Sequence, residues 1–139
     1  MVDAALDGEA MDPMAVLVIE EGAAEAALVC AALALHPDVR VVDAPDLAAA
    51  LKRLEDYPYP APVALAIAGA TALTQSTDEL VSRLGARGIP VIGIAAGLAP
   101  DARQRALDAG VREIHERPSE WRPYSELVAA LVGRFIRKG

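Results

Sequence analysis

The sequence predicts an α/β fold in which five parallel strands alternate with five helices. Short apolar runs rich in β-branched residues recur along the chain, and each is followed by a segment of helical length with its own stop signal. The composition agrees, because 54% of the residues are hydrophobic but only 4% are aromatic, and small aliphatic side chains pack helices closely on a sheet. We therefore expect an open, doubly wound parallel sheet in three α/β/α layers.

The first predicted strand is a continuous apolar run, which is typical of a strand buried on both faces of a sheet. The first, AVLVI, ends abruptly at Glu20-Glu21-Gly22, and the fourth begins at Pro90, a position where a strand tolerates proline. Parallel neighbours require crossover connections, which the intervening helices supply. The predicted strands span residues 15–19, 39–42, 63–67, 90–94 and 111–115.

The predicted helices are bounded by capping and breaking residues. Pro37 and Gly110 stop the first and fourth helices, and the third begins with the capping sequence Thr77-Asp-Glu. Residues 69–76, between the third strand and the third helix, are expected to form a loop. The predicted helices span residues 23–35, 47–54, 77–84, 101–109 and 123–137.

Charge and length limit the domain organisation and the function classes. Residues 1–13 form a predicted acidic, flexible leader with four of the seven net negative charges, and residues 14–139 form a single domain. A net charge of −7 argues against nucleic-acid binding, and no apolar run is long enough for a membrane span. The acidic leader is unlike a secretory signal, and Cys30 has no partner for a disulfide, so we expect a cytoplasmic protein.

One stretch resembles a known family. Residues 90–110, PVIGIAAGLAPDARQRALDAG, are similar to the fourth strand and helix of response-regulator receiver (CheY-like) domains, and Arg117-Pro118 follows where that family has Lys-Pro. The resemblance covers residues 15–138 and implies the flavodoxin-like (βα)5 fold. It also implies a site at the carboxyl ends of the strands, where an acidic pair binds Mg²⁺ and an aspartate accepts a phosphoryl group.

This chain departs from that pattern at the positions that carry the chemistry. The residues at the degenerate phosphorylation site are Glu20, Glu21, Ala68, Ala95 and Arg117. Alanine replaces both the phosphoacceptor aspartate and the hydroxyl residue after the fourth strand, and residues 63–73 contain no acid. The resemblance therefore implies a pseudo-receiver without catalytic residues, cofactor or metal. Glu20 and Glu21 are weak metal candidates, or solvated loop carboxylates.

Further substitutions extend the departure. Ile114 stands where the family usually has a switching aromatic residue, and we hypothesise that Arg117 forms a salt bridge with Glu20 or Glu21. His36 and His115 lack a third ligand for a metal ion. Trp121 and Tyr124 are expected to serve packing or partner contacts.

The function expected from these residues is protein binding rather than catalysis. The family's usual contact surface, formed by the fourth helix, fifth strand and fifth helix, suits a homodimer here because its charges alternate in sign. We expect a phosphorylation-independent interaction module in bacterial signalling or transcription regulation. The alternatives are the receiver-like part of a longer regulator with an output domain, and a small-molecule-binding domain with its ligand near Ala68, Gly69, Ala95 and Gly97. The expected interaction residues are Asp101, Arg103, Arg105, Asp108, Arg112, Glu113, Glu116, Glu120, Arg122 and Glu126.

Overall fold

The sheet has the predicted parallel topology. The structure, a computed structural model, describes residues 13–56 and 62–137, so most of the expected leader lies outside the described residues. Five parallel strands form one sheet in the order β2-β1-β3-β4-β5, which confirms the flavodoxin-like fold. The strands are β1 (Met14–Ile19), β2 (Val39–Ala44), β3 (Val63–Ala68), β4 (Val91–Ala95) and β5 (Glu113–Glu116).

The described residues contain six helices, one more than predicted. The additional helix occupies most of residues 69–76, where the sequence predicted a loop. The helices are α1 (Ala23–Leu33), α2 (Leu47–Asp56), α3 (Ala70–Gln75), α4 (Thr77–Gly85), α5 (Pro100–Ala109) and α6 (Trp121–Phe135). The predicted fourth and fifth helices are thus α5 and α6.

Burial explains the additional helix. Leu73 of α3 is 1% exposed, and its side chain occupies space that Gly93 leaves open in the middle of β4. A Cβ atom on Gly93 would lie 2.7 Å from Leu73 Cδ1, so the glycine lets this short helix pack directly on the sheet. The last helix also begins earlier than predicted, because Pro123 fits in a first turn, where its missing N–H is not needed.

The sheet separates two apolar clusters. Leu17 and Ile19 of β1 point to the cluster covered by α2, α3, α4 and α5, whereas Val16 and Val18 point to the cluster covered by α1 and α6. Because the central strands β1, β3 and β4 are apolar and covered on both faces, polar groups near them come from the segments that follow their ends. The described helices include none long and apolar enough to cross a membrane.

Candidate functional site

The loop after β1 turns the first glutamate toward the protein. Glu20 Oε2 accepts a hydrogen bond of 2.8 Å from the backbone N–H of Gly22. Its other carboxylate oxygen lies beside Gly69, where a Cβ atom would come within 1.8 Å of Oε1. Glu21 is exposed. The structure therefore separates the expected acidic pair, because Glu20 lies against the end of β3 while Glu21 faces solvent.

Both alanines at the degenerate site are part of the core. Ala68 is 0% exposed at the end of β3, and Ala95 is 4% exposed at the end of β4. Their methyl groups belong to the cluster on the α2 side of the sheet. Both side chains are methyl groups, and burial leaves little room for a larger side chain at either position.

The hypothesis of an Arg117–Glu20 or Arg117–Glu21 salt bridge was wrong about the partner. Arg117 Nη2 lies 3.7 Å from Glu25 Oε2, in the first turn of α1. Glu20 is held instead by the Gly22 N–H, which gives its carboxylate a local partner. Arg117 Nε is buried and has no hydrogen-bond acceptor among the described residues, so the arginine is held by packing as well as by charge.

A buried tyrosine closes the same region. Tyr124 of α6 is 3% exposed, and burial raises its pKa to about 12. The crevice that remains measures about 10 Å³, which is close to the space of one water molecule. Its size therefore argues against a metabolite there, where a ligand pocket typically spans at least ~300 Å³. The crevice is lined by Val18, Glu20, Glu25, Val29, Ile67, Gly69, Ile94, Arg117 and Tyr124.

The residues present do not fit the Mg²⁺ site that the fold family implies. A hard divalent cation prefers several oxygen ligands, whereas the end of β3 supplies only Ala68 and Gly69. Among the described residues, no group of three or more His, Cys, Asp or Glu side chains is arranged to hold a metal ion. Glu20 already accepts a backbone hydrogen bond, so its carboxylate serves the loop rather than an open cation site.

The expected interaction residues lie on α5, β5, α6 and the adjoining loops, and several already have partners within the chain. On α5, Asp101 pairs with Arg105 at 3.3 Å, and Asp108 accepts a hydrogen bond of 2.9 Å from Gln104. Glu116 Oε2 accepts a hydrogen bond of 3.0 Å from the N–H of Gly97, which closes the loop after β4. These contacts stabilise the surface and leave its mixed charge pattern in place.

Glu113 has the strongest charge partners on this surface. Both carboxylate oxygens accept hydrogen bonds from Arg134 of α6, including one of 2.7 Å from Nη2. His115 Nε2 lies 2.8 Å from Glu113 Oε1. The Arg134 guanidinium, with His115, lowers the pKa of Glu113 to about 2, so this carboxylate is ionised over the whole physiological range. Arg134 could not be predicted as the partner of Glu113, because the two residues are 21 positions apart in the sequence.

Solved structures that are similar to this chain include response-regulator receiver domains. The chain aligns with a phosphorylated cyanobacterial phytochrome response regulator at a TM-score of 0.74 and 16% identity, covering 89% of this chain and 94% of that one. This chain has the receiver fold. A manganese-bound response regulator matches at a TM-score of 0.71 and 16% identity, covering 91% of this chain and 98% of that one. An orphan response regulator of H. pylori matches at a TM-score of 0.66 and 16% identity, covering 88% of this chain and 96% of that one. No protein-family model and no curated protein matches the chain.

The unpaired Nε of Arg117 gives a prediction for this receiver fold. We expect Arg117→Met to change the free energy of unfolding by less than ~0.5 kcal/mol, because losing a 3.7 Å ion pair is offset by removing a buried donor without an acceptor. Arg117→Ala also removes the packed stem and should cost about 1 kcal/mol. Urea unfolding of both variants measures the difference. A loss above ~2 kcal/mol in the methionine variant would show that the charge itself holds the site together.

Proposed function

We propose that this chain is a pseudo-receiver that regulates a bacterial signalling or transcription pathway by binding protein, without aspartyl phosphorylation and without catalysing a reaction. The observation that carries the proposal is Ala68, a fully buried methyl group at the end of β3 in a segment without any acid. Phosphoryl transfer requires a nucleophile, and positioning by the rest of the site cannot replace it.

The packing of Ala68 supports the same proposal. Its methyl group lies in the apolar cluster on the α2 side of the sheet, and Glu20 Oε1 lies against the neighbouring Gly69. Ala95 and Ile114 replace the hydroxyl and aromatic residues that the receiver resemblance implies for reading a phosphoryl group. In this proposal the receiver fold is retained, its site keeps a single arrangement, and the protein acts through contacts made by its surface.

The proposed binding surface is the face formed by α5, β5 and α6, and the proposed occupant is a second copy or another cytoplasmic signalling protein. The face presents acids and bases close together, which suits a twofold contact between identical surfaces. Arg103, Arg112 and Arg122 are exposed there, as are Glu120 and Glu126. No nucleic-acid partner is proposed, because the net charge of the chain is −7.

The experiment compares association and stability with and without a phosphoryl mimic. Sedimentation velocity and thermal melting are recorded for the full chain alone and with Mg²⁺ plus beryllofluoride. We expect the same sedimentation coefficient and melting temperature in both conditions. A beryllofluoride-dependent rise in either quantity would contradict phosphorylation independence, whereas a monomer in both conditions would remove only the homodimer.

A further inference from the structure

Among the described residues, β5 forms one edge of the sheet and pairs with β4 alone. Arg117 donates its N–H to Ala95 O at 3.0 Å, and the register pairs Ala95 with Glu116. Because backbone groups alternate sides along a strand, residues 113 and 115 face β4 while Ile114 directs its N–H and C=O outward. Pairing with β4 uses the backbone groups of residues 113 and 115, so it does not use those of Ile114.

The sequence of this edge is complementary to itself when it is read in opposite directions. In Arg112-Glu113-Ile114-His115-Glu116, the residues equidistant from Ile114 are Arg112 with Glu116 and Glu113 with His115. An antiparallel twofold pairing centred on Ile114 places each acid opposite a base or an imidazole of the second copy. Opposite charges directly across an antiparallel pair are stabilising, whereas like charges are destabilising.

The side chains needed for this pairing reach the surface. The side chains of Glu113 and His115 are 29% and 32% exposed, and they lie on the face of β5 where Glu113 contacts Arg134 of α6. Arg112 is exposed just before the strand, where its own N–H bonds to Val91 O at 2.9 Å. The backbone contact is therefore centred on Ile114, and the flanking charges determine the register.

We propose that the β5 edges of two copies pair antiparallel about Ile114 and join the two sheets into one continuous sheet. This inference rests on the proposed dimer and specifies its geometry. The backbone hydrogen-bonding pattern also permits a twofold axis at either residue next to Ile114. An axis at Glu113 places two glutamates opposite each other, and an axis at His115 places two histidines opposite each other. The centre at Ile114 places Arg112 opposite Glu116 and Glu113 opposite His115, so no acid lies opposite an acid. Pro118 ends the pairing two residues beyond Glu116, because it has no N–H to donate.

Charge reversal tests the register. In the full chain, Arg112→Glu places glutamate opposite Glu116 of the second copy twice per dimer, and we expect about tenfold weaker dimerisation by sedimentation equilibrium. The double variant Arg112→Glu/Glu116→Arg should restore dimerisation to within about twofold, because each pair is re-formed in reverse. Arg87→Glu, an equal charge change at an exposed position after α4, is the matched control and should have no effect.

A second measurement requires no variant. Hydrogen exchange of the Ile114 amide, followed by NMR, should slow as the protein concentration rises through the dimerisation range, because this N–H becomes hydrogen-bonded only in the dimer. Exchange independent of concentration in a chain that dimerises would overturn the strand pairing. So would a dimer that Arg103→Glu on α5 weakens while Arg112→Glu does not, and that result would retain the proposed face with contacts through its helices. A chain that stays monomeric would overturn the inference and leave phosphorylation independence to the beryllofluoride experiment.

Discussion

Ala68→Asp is expected to destabilise the protein by at least ~3 kcal/mol rather than restore a phosphorylation site. The alanine is 0% exposed and lies in an apolar cluster, so an aspartate there would be a buried carboxylate without a positive partner. Glu20 Oε1 already lies beside the neighbouring Gly69, and its negative charge adds repulsion. Urea unfolding at neutral pH measures the loss.

Ala96→Asp is the matched control for this substitution. Ala96 follows β4, at the same carboxyl end of the sheet as Ala68, and is exposed. Its variant should therefore change the free energy of unfolding by less than ~0.5 kcal/mol. If Ala68→Asp folded with the stability of the parent and accepted a phosphoryl group, the site would be one substitution away from activity. That result would contradict the expectation that burial of this position excludes a carboxylate.

Arg137→Ala is expected to cost about 2–3 kcal/mol, the second-largest effect. Arg137 follows α6 and donates two hydrogen bonds to Asp38, including one of 2.9 Å from Nε to Oδ2. The Asp38 side chain is only 6% exposed, so removing the guanidinium would leave a buried carboxylate unpaired. Arg83→Ala, which breaks an exposed pair with Glu79, should cost less than ~0.5 kcal/mol when both variants are unfolded in urea.

The same ion pair predicts a pH dependence. The hydrogen bond from Arg137 lowers the pKa of Asp38 below its ordinary value. Its stabilisation is therefore present above the pKa of the unfolded aspartate, near 4, and is lost as the pH falls through the lower folded value. Urea midpoints between neutral and acid pH should fall less steeply in Arg137→Ala than in the parent. If the urea midpoints of the two proteins fell equally steeply with pH, the ion pair with Arg137 would not lower the pKa of Asp38.

The sheet could be predicted from the sequence because uninterrupted apolar runs indicate buried strands. The central strands β1, β3 and β4 are apolar runs that are almost entirely buried, and glycine or proline lies near their ends. Helix α3 was missed because its six residues are too few for a helical period, and its stability comes from Leu73 packing against Gly93. That contact joins residues of different elements, so local patterns do not report it.

The site was predictable in its position but not in its contacts. Topology brings the ends of β1, β3 and β4 together, and the receiver resemblance pointed to Ala68 and Ala95. The sequence did not indicate that Glu25 would pair with Arg117 or that Tyr124 would close the crevice. Those contacts depend on how α1 and α6 pack beside each other on one face of the sheet, which side-chain spacing along either helix does not determine.

The most direct test of phosphorylation independence is the intact mass of the full chain after incubation with acetyl phosphate and Mg²⁺. A receiver domain of demonstrated phosphorylation, treated in parallel, is the positive control. Because residues 63–73 contain no acid and Ala68 is buried, we predict an unchanged mass for this chain while the control gains a phosphoryl group. A gain of one phosphoryl group on an acidic side chain at the strand ends would contradict the proposed function.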